Sequence, residues 1–247
     1  MSATAKQILT LIYQLKGSGA KDRVKNIYNN YASKHNKSKT DGKAWCSETV
    51  SAGFIKANAT SLINGVAQTA SAHVDHFKKL NIWKSGHTRT PNVGDIVIFQ
   101  DSKGSPNHTE MVFSVNKEKG IFVGLSGNYL GGIGLRTRKI NATNIHGYGC
   151  PRYTNYKIIN TTIVEAILQG KYGTGAKIGT TRYNKLALEG YDPDVVQEKV
   201  NWVIATAQNI KNGKTTYGNN EERREKLGVW YATVQKQINV LYGIEKW

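Results

Sequence analysis

Apolar positions recur at helical spacing twice near the start of the chain: Ile8, Leu9, Leu11, Ile12 and Leu15 within residues 4–16, then Val24, Ile27, Tyr28 and Tyr31 within 21–31. Spacing of three to four residues gathers each set on one face and predicts two amphipathic helices. A polar loop over 35–42 follows, and after Cys46 the residues Val50, Phe54 and Ala57 restore the helical period. A third helix is therefore expected to begin almost at the cysteine. Residues 59–72, rich in Ala, Ser, Thr, Gly and Asn, predict an irregular crossing segment. A short amphipathic helix with Val74, Phe77 and Leu80 comes next, then Ile82 and Trp83, the latter read as a core aromatic or, alternatively, a cleft-lining one.

Beyond residue 90 the period changes. The runs 91–99, 106–115 and 121–128 are β-rich and bounded by Gly, Pro and Asn, so they read as neighbouring antiparallel strands. Gly131-Gly132-Ile133-Gly134 reads as a turn where the sheet bends, before final strands over 135–140 and 145–148. From Thr162 the helical pattern returns and the chain repeats itself. Gly170-Lys171-Tyr172-Gly173 is echoed by Gly213-Lys214 and Tyr217-Gly218, Arg182 by Arg223, Val196-Gln197 and Asn201 by Val234-Gln235 and Asn239, at intervals of 38 to 45 residues. Asp192-Pro193 is a cap and first-turn signal for the last helix of copy one. This predicts a first domain over 1–155, a linker over 156–162, and repeats over 163–203 and 204–247.

The 247 residues carry a formal net charge of +17. Residues 163–247 hold 12 Lys and Arg against 9 Asp and Glu, or +3, leaving 22 against 8, or +14, for residues 1–162. Charge of that density favours polyanions, with anionic wall polymers, membrane surfaces and nucleic acid as candidates. Nucleic acid is the weaker one, because the lysines are dispersed and no reading motif with aromatic stacking positions accompanies them. No apolar run has the length of a membrane span. Residues 1–7 lack the charge cluster and apolar core of a signal peptide, so synthesis in the cytosol is expected. Two cysteines make no disulfide framework, and both read as free thiols, Cys150 as a structural one. The histidines lack zinc-ligand spacing, so no catalytic metal or other cofactor is expected. Asn36, Ser38, Thr40 and Asp41 hold one carboxylate between them, enough only for a weak calcium site, and a solvated loop is the favoured reading.

Candidate chemistry centres on Trp45-Cys46. At a helix N-terminus the unpaired N–H groups and the helix dipole favour thiolate over thiol, which makes a cysteine nucleophilic near neutral pH. His108 opens the second β-run and Asn128 closes the third. A cysteine helix packed on a sheet that carries a histidine and a side-chain acceptor is the α+β, papain-like arrangement of thiol hydrolases. Asn128 would orient the imidazole, with Glu110, two residues along the strand from His108, as the alternative third member.

The motifs Trp45-Cys46, Gly94-Asp95-Ile96-Val97, His108-Thr109-Glu110-Met111-Val112, Ser126-Gly127-Asn128 and Gly147-Tyr148-Gly149, in that order, resemble the CHAP domain, the cysteine, histidine-dependent amidohydrolase/peptidase of bacterial and phage wall-lytic enzymes. The resemblance covers about the first 155 residues and departs where some members carry a glutamate in place of Ser126. The two repeats resemble the Cpl-seven type of wall-binding repeat. Carried over by position, Tyr172, Gly173 and Arg182, and Tyr217, Gly218 and Arg223, become ligand-facing candidates for muropeptide, with helix caps and solvated arginines as the alternative. Together the resemblances imply an endolysin: a cysteine amidase or endopeptidase acting on Gram-positive peptidoglycan, made without a signal peptide and reaching the wall after holin-type release. The rival readings are a wall- or polyanion-binding protein without activity, and a thiol peptidase of protein substrates.

Overall fold

The computed structural model describes residues 2–40, 42–214 and 217–247. The chain divides into two compact units, Met1–Asn155 and Tyr156–Trp247. In the first, α1 (Ala5–Tyr13), α2 (Ala20–Lys34), α3 (Cys46–Lys56) and α4 (Ala70–Lys79) precede the strands β1 (Trp83–Ser85), β2 (Ile96–Gln100), β3 (Pro106–Asn116), β4 (Ile121–Tyr129), β5 (Gly132–Lys139) and β6 (Ile145–Gly149). The strands form one antiparallel sheet in the order β1-β6-β2-β3-β4-β5.

Strand alternation decides what each face meets. Ile96 and Ile98 of β2, with Met111 and Leu125, join Ile8, Leu9 and Ile12 of α1, Val50 and Phe54 of α3 and Phe77 of α4 in the main core. Val97 and Phe99 pack instead with Val112, Phe122 and Tyr148 in a second cluster. Strand β2 is thus buried on both faces. Helix α3 lies tight against its neighbours because two glycines leave room. A Cβ at Gly53 would stand 2.4 Å from Ile12 Cγ1, and one at Gly127 would stand 2.0 Å from Thr49 Oγ1.

Two details depart from the sequence expectation. Trp83–Ser85 is an edge strand pairing with β6, too short for a period of two to register. Strand β5 starts at Gly132, and the bend falls earlier, where Asn128, Leu130 and Gly131 all have positive φ. Trp83 is half-buried and stacks on Phe77 at 6.4 Å, which places it against the core.

The second unit is helical: α5 (Thr161–Leu168), α6 (Thr181–Leu188), α7 (Pro193–Lys211), α8 (Asn220–Leu227), a 3-10 turn (Gly228–Trp230) and α9 (Tyr231–Leu241). Asp192 caps α7 and Pro193 opens it. The boundary expected between 203 and 204 falls inside α7, which runs on unbroken. Val196, Val200, Val203 and Ala207 hold the apolar period across it, and no breaker interrupts them. Both copies consequently share one core, with Ile163, Val164 and Leu186 from the first and Leu227, Val234 and Ile238 from the second. Helix α5, capped by Asn160, also begins within the segment expected as a linker, and Lys157 N–H donates to the Gly190 carbonyl at 2.9 Å.

Candidate active site

Helix α3 starts at Cys46, which is 4% exposed. Its first turn is tied down from several sides. The Trp45 carbonyl accepts from Thr49 N–H at 3.0 Å and from Thr49 Oγ1 at 2.8 Å, while the Trp45 ring is buried in the main core. Ser47 Oγ lies 2.9 Å from Thr109 Oγ1 on β3, and His73 Nε2 of α4 donates to the Ser47 carbonyl at 3.2 Å. Burial pushes His73 down to about 4, so the ring is neutral and serves as a strut. Ahead of the helix, Thr40 Oγ1 donates to buried Glu48 and accepts from Gly42 N–H at 2.9 Å. Of the loop residues weighed for calcium, Thr40 is thus turned to Glu48, and Asp41 lies outside the described residues. Among the described residues no three or more His, Cys, Asp or Glu side chains gather as a metal site.

His108 comes to the thiol from β3, one residue before the Thr109 that bonds Ser47, and stands close enough for imidazole and thiol to shift each other's titration. Its Nε2 lies 3.2 Å from Glu110 Oε1 and 3.0 Å from Ser126 Oγ. Ser126 Oγ donates its own proton to the Gly127 carbonyl at 3.3 Å, so a lone pair faces the imidazole. With Nε2 engaged there, Nδ1 is the nitrogen left for the thiol. Glu110 and Ser126 sit opposite each other in the β3–β4 register. The Glu110 side chain is 0% exposed, and Gly124 makes room for it, since a Cβ there would stand 2.2 Å from Glu110 Oε2. Arg138 of β5 grips the same carboxylate with two prongs, Nη2 to Oε1 at 2.5 Å and Nε to Oε2 at 3.2 Å. Arg136 Nη1 stands 3.9 Å from Oε1.

The electrostatics follow from this packing. Burial pushes the Cys46 thiol up, but the hydrogen bond and charge of His108, with bonds from the backbone at Thr109 and Ser47, pull it below its ordinary value. Burial pushes His108 down, and Cys46 and Glu110 outweigh it, raising the imidazole to about 9. Glu110, which burial alone would raise, is held low by His108 and Arg138. These shifts favour a thiolate beside an imidazolium, with the Glu110 carboxylate behind it.

Asn128 is not on the imidazole. It is exposed, with φ 58, at the bulge where the β4–β5 register slips between Gly127 and Tyr129. The group on His108 is Glu110, the alternative third member, assisted by Ser126. Arg138 escaped the sequence reading altogether. It lies 28 residues from Glu110, and only the pairing of β5 with β4 beside β3 brings them together.

Cys150 stands apart from this site, where it accepts from Arg89 Nη1 at 2.6 Å beside buried Asp95. Burial and the Asp95 charge raise its thiol.

In the helical unit the repeated residues build the same network twice. Arg182 donates from Nε and Nη2 to the Gly173 carbonyl at 3.1 and 3.0 Å and from Nη1 to Gln197 Oε1 at 3.1 Å, and Gln197 donates to Asn201. Arg223 donates likewise to Gly218 at 3.2 and 2.9 Å and to Gln235 at 3.2 Å, and Gln235 donates to Asn239. Both glycines have positive φ, 69 and 68. The arginines therefore brace the Tyr-Gly turns. Tyr172 and Tyr217 pack half-buried on the shared core, and the Tyr172 hydroxyl donates to Glu189 at 2.5 Å.

Residues 161–204 match the CW_7 repeat, a cell-wall-binding repeat. The match ends inside α7. The second copy lies outside the match and carries the same hydrogen-bond network on the shared core. No curated protein and no solved structure matches the chain.

Proposed function

We propose that Met1–Asn155 is a CHAP-type, papain-like thiol hydrolase that cleaves an amide bond of peptidoglycan, and that the CW_7 unit holds it on the wall. The observation carrying this reading is the buried Cys46 at the start of α3, beside His108, with Glu110 behind the imidazole. The Cys46 thiolate attacks the amide carbonyl carbon to give a tetrahedral oxyanion. Collapse breaks the C–N bond as His108 delivers its proton to the leaving amine, and an acyl-enzyme remains. Neutral His108 then takes a proton from water, whose oxygen attacks the thioester and regenerates thiolate and imidazolium. The backbone N–H of Cys46, at the first position of α3 and without an intrahelical acceptor, is a donor for the oxyanion. Attachment to wall-binding repeats raises the local concentration of scissile bonds without altering the site.

The test is turbidity loss of purified Gram-positive sacculi with wild type and Cys46→Ala, with mass spectrometry of the released fragments. Clearing by wild type alone is expected, and the fragments distinguish a muramoyl-alanine amide from a stem or cross-bridge bond. Equal clearing by Cys46→Ala overturns the mechanism. Binding to sacculi with no cleavage by wild type turns the reading to a wall-binding protein.

A further inference from the structure

The two-pronged hold of Arg138 on Glu110 has a role in the chemistry of Cys46, an inference that rests on reading Cys46 and His108 as the working pair. A carboxylate with no solvent exposure, beside the apolar cluster of Val97, Phe99, Val112 and Phe122, would take up a proton unless cations faced it. Three do: His108 stands on one side, Arg138 reaches both oxygens from the other, and Arg136 lies farther off at 3.9 Å. The Arg138 guanidinium also lies 4.6 Å over the Phe99 ring, whose centroid is 5.9 Å from that of His108. One aromatic ring thus backs His108 and Arg138 while Glu110 bridges them. A planar fork gripping a carboxylate fixes its plane as well as its charge, which a lysine cannot do.

The other charged and titratable groups around this trio leave Arg138 as its close fixed charge. Helix α3 brings Cys46 itself and Glu48, which is bonded to Thr40. Helix α4 brings neutral His73. Strand β5 adds Arg136, 33% exposed and seated over the Tyr129 ring of β4 at 4.5 Å. Lys21 and Lys25 of α2 lie alongside Gly42, ahead of Cys46 in the chain. Strand β2 faces the site with Phe99.

We propose that Arg138 is a positioning residue: by clamping Glu110 as an anion in one orientation behind His108, it sets the pH range over which Cys46 stands as a thiolate. Removing the guanidinium leaves Glu110 one cation short and takes a positive charge from beside two anions, so the thiolate forms only at higher pH. Lysine at 138 restores the charge but not the fork. It keeps the pH range and slows turnover, because Glu110 and the imidazole are no longer held in plane.

The experiment follows iodoacetamide alkylation of the Cys46 peptide against pH by mass spectrometry, in full-length wild type, Arg138→Gln and Arg138→Lys, with a thermal melt of each. In Arg138→Gln the acid midpoint rises by about one pH unit, so alkylation on the acid limb slows about tenfold. In Arg138→Lys the midpoint stays at the wild-type value, while kcat on sacculi falls about tenfold with KM little changed. A wild-type midpoint in folded Arg138→Gln, or a midpoint in Arg138→Lys displaced as far as in Arg138→Gln, overturns the proposal. If Arg138→Gln does not fold, Arg138→Lys decides alone: a shifted midpoint overturns the proposal, and an unshifted one with lowered kcat supports it. The alkylation readout needs no hydrolysis, so if wild type fails to cut sacculi while the variants show these midpoints, the hydrolase reading falls and the role of Arg138 stands.

Discussion

At the scale of single residues, what stands behind His108 defines the site: Glu110 Oε1 lies 3.2 Å and Ser126 Oγ 3.0 Å from its Nε2. Cys46 announced itself because a helical period starts beside it, and His108 because it opens a β-run. Asn128 and Glu110 both fit the strand pattern. A bulge of one residue turned the first to solvent, and pairing with β4 buried the second. Glu110→Gln is therefore expected to lower kcat/KM on sacculi by about a hundredfold, and Asn128→Ala by no more than about twofold, both read from turbidity assays at fixed pH. His73 carries a separate expectation. Its imidazole is held neutral down to about 4, so protonation favours the unfolded chain between that value and the ordinary 6.5. Its contribution to stability is complete above 6.5 and is lost as the pH falls towards 4, to the extent of about 3 kcal/mol. Denaturant titrations across that window should show a shallower acid loss in His73→Gln than in wild type, once each is normalised to neutral pH.

At the scale of elements, the short distance between α3 and the sheet is what allows a thiol on a helix to meet an imidazole on a strand. Gly127 makes that approach possible, since any side chain there would meet Thr49 in the first turn below Cys46. Gly127→Ala is expected to cost about 1–3 kcal/mol and to lower activity further than the stability loss explains, measured by melting and by Cys46 alkylation on the same sample. The Ser47–Thr109 bond works in the same place, joining the residue after Cys46 to the residue after His108. The helices and the long strands were visible in the spacing of apolar residues. The three-residue edge strand β1 was not, because a strand that short owes its existence to the backbone bonds that β6 offers.

At the scale of the whole molecule, the repeat in the sequence and the repeat in space differ. Sequence similarity cuts the helical unit near 204, where one copy ends and the next begins, but α7 crosses that point and its buried face serves both copies. A chain ending at 204 loses α8, α9 and the burial of Leu227, Val234 and Ile238, each worth about 1.5–3 kcal/mol. That loss is comparable to the whole stability of a small domain. Such a truncation is expected to lose both the cooperative helical melt and binding to sacculi, whereas Arg223→Ala in the full chain loosens one Tyr-Gly turn and leaves the melt cooperative. Circular dichroism and a sedimentation assay with sacculi check both.

Local features that need only neighbouring residues were determined by the sequence itself: the periods of helices and strands, the Asp192-Pro193 cap, the cysteine at a helix start and the doubled Tyr-Gly and Arg pattern. These follow from sterics and side-chain alternation, which act over a few residues. What depends on distant segments was decided only by tertiary structure: Glu110 on the imidazole, Arg138 on Glu110, and one core shared by two repeats. A buried carboxylate takes its charge from whatever the neighbouring strands place against it, and strand order and register are properties of the packed sheet that no local pattern encodes.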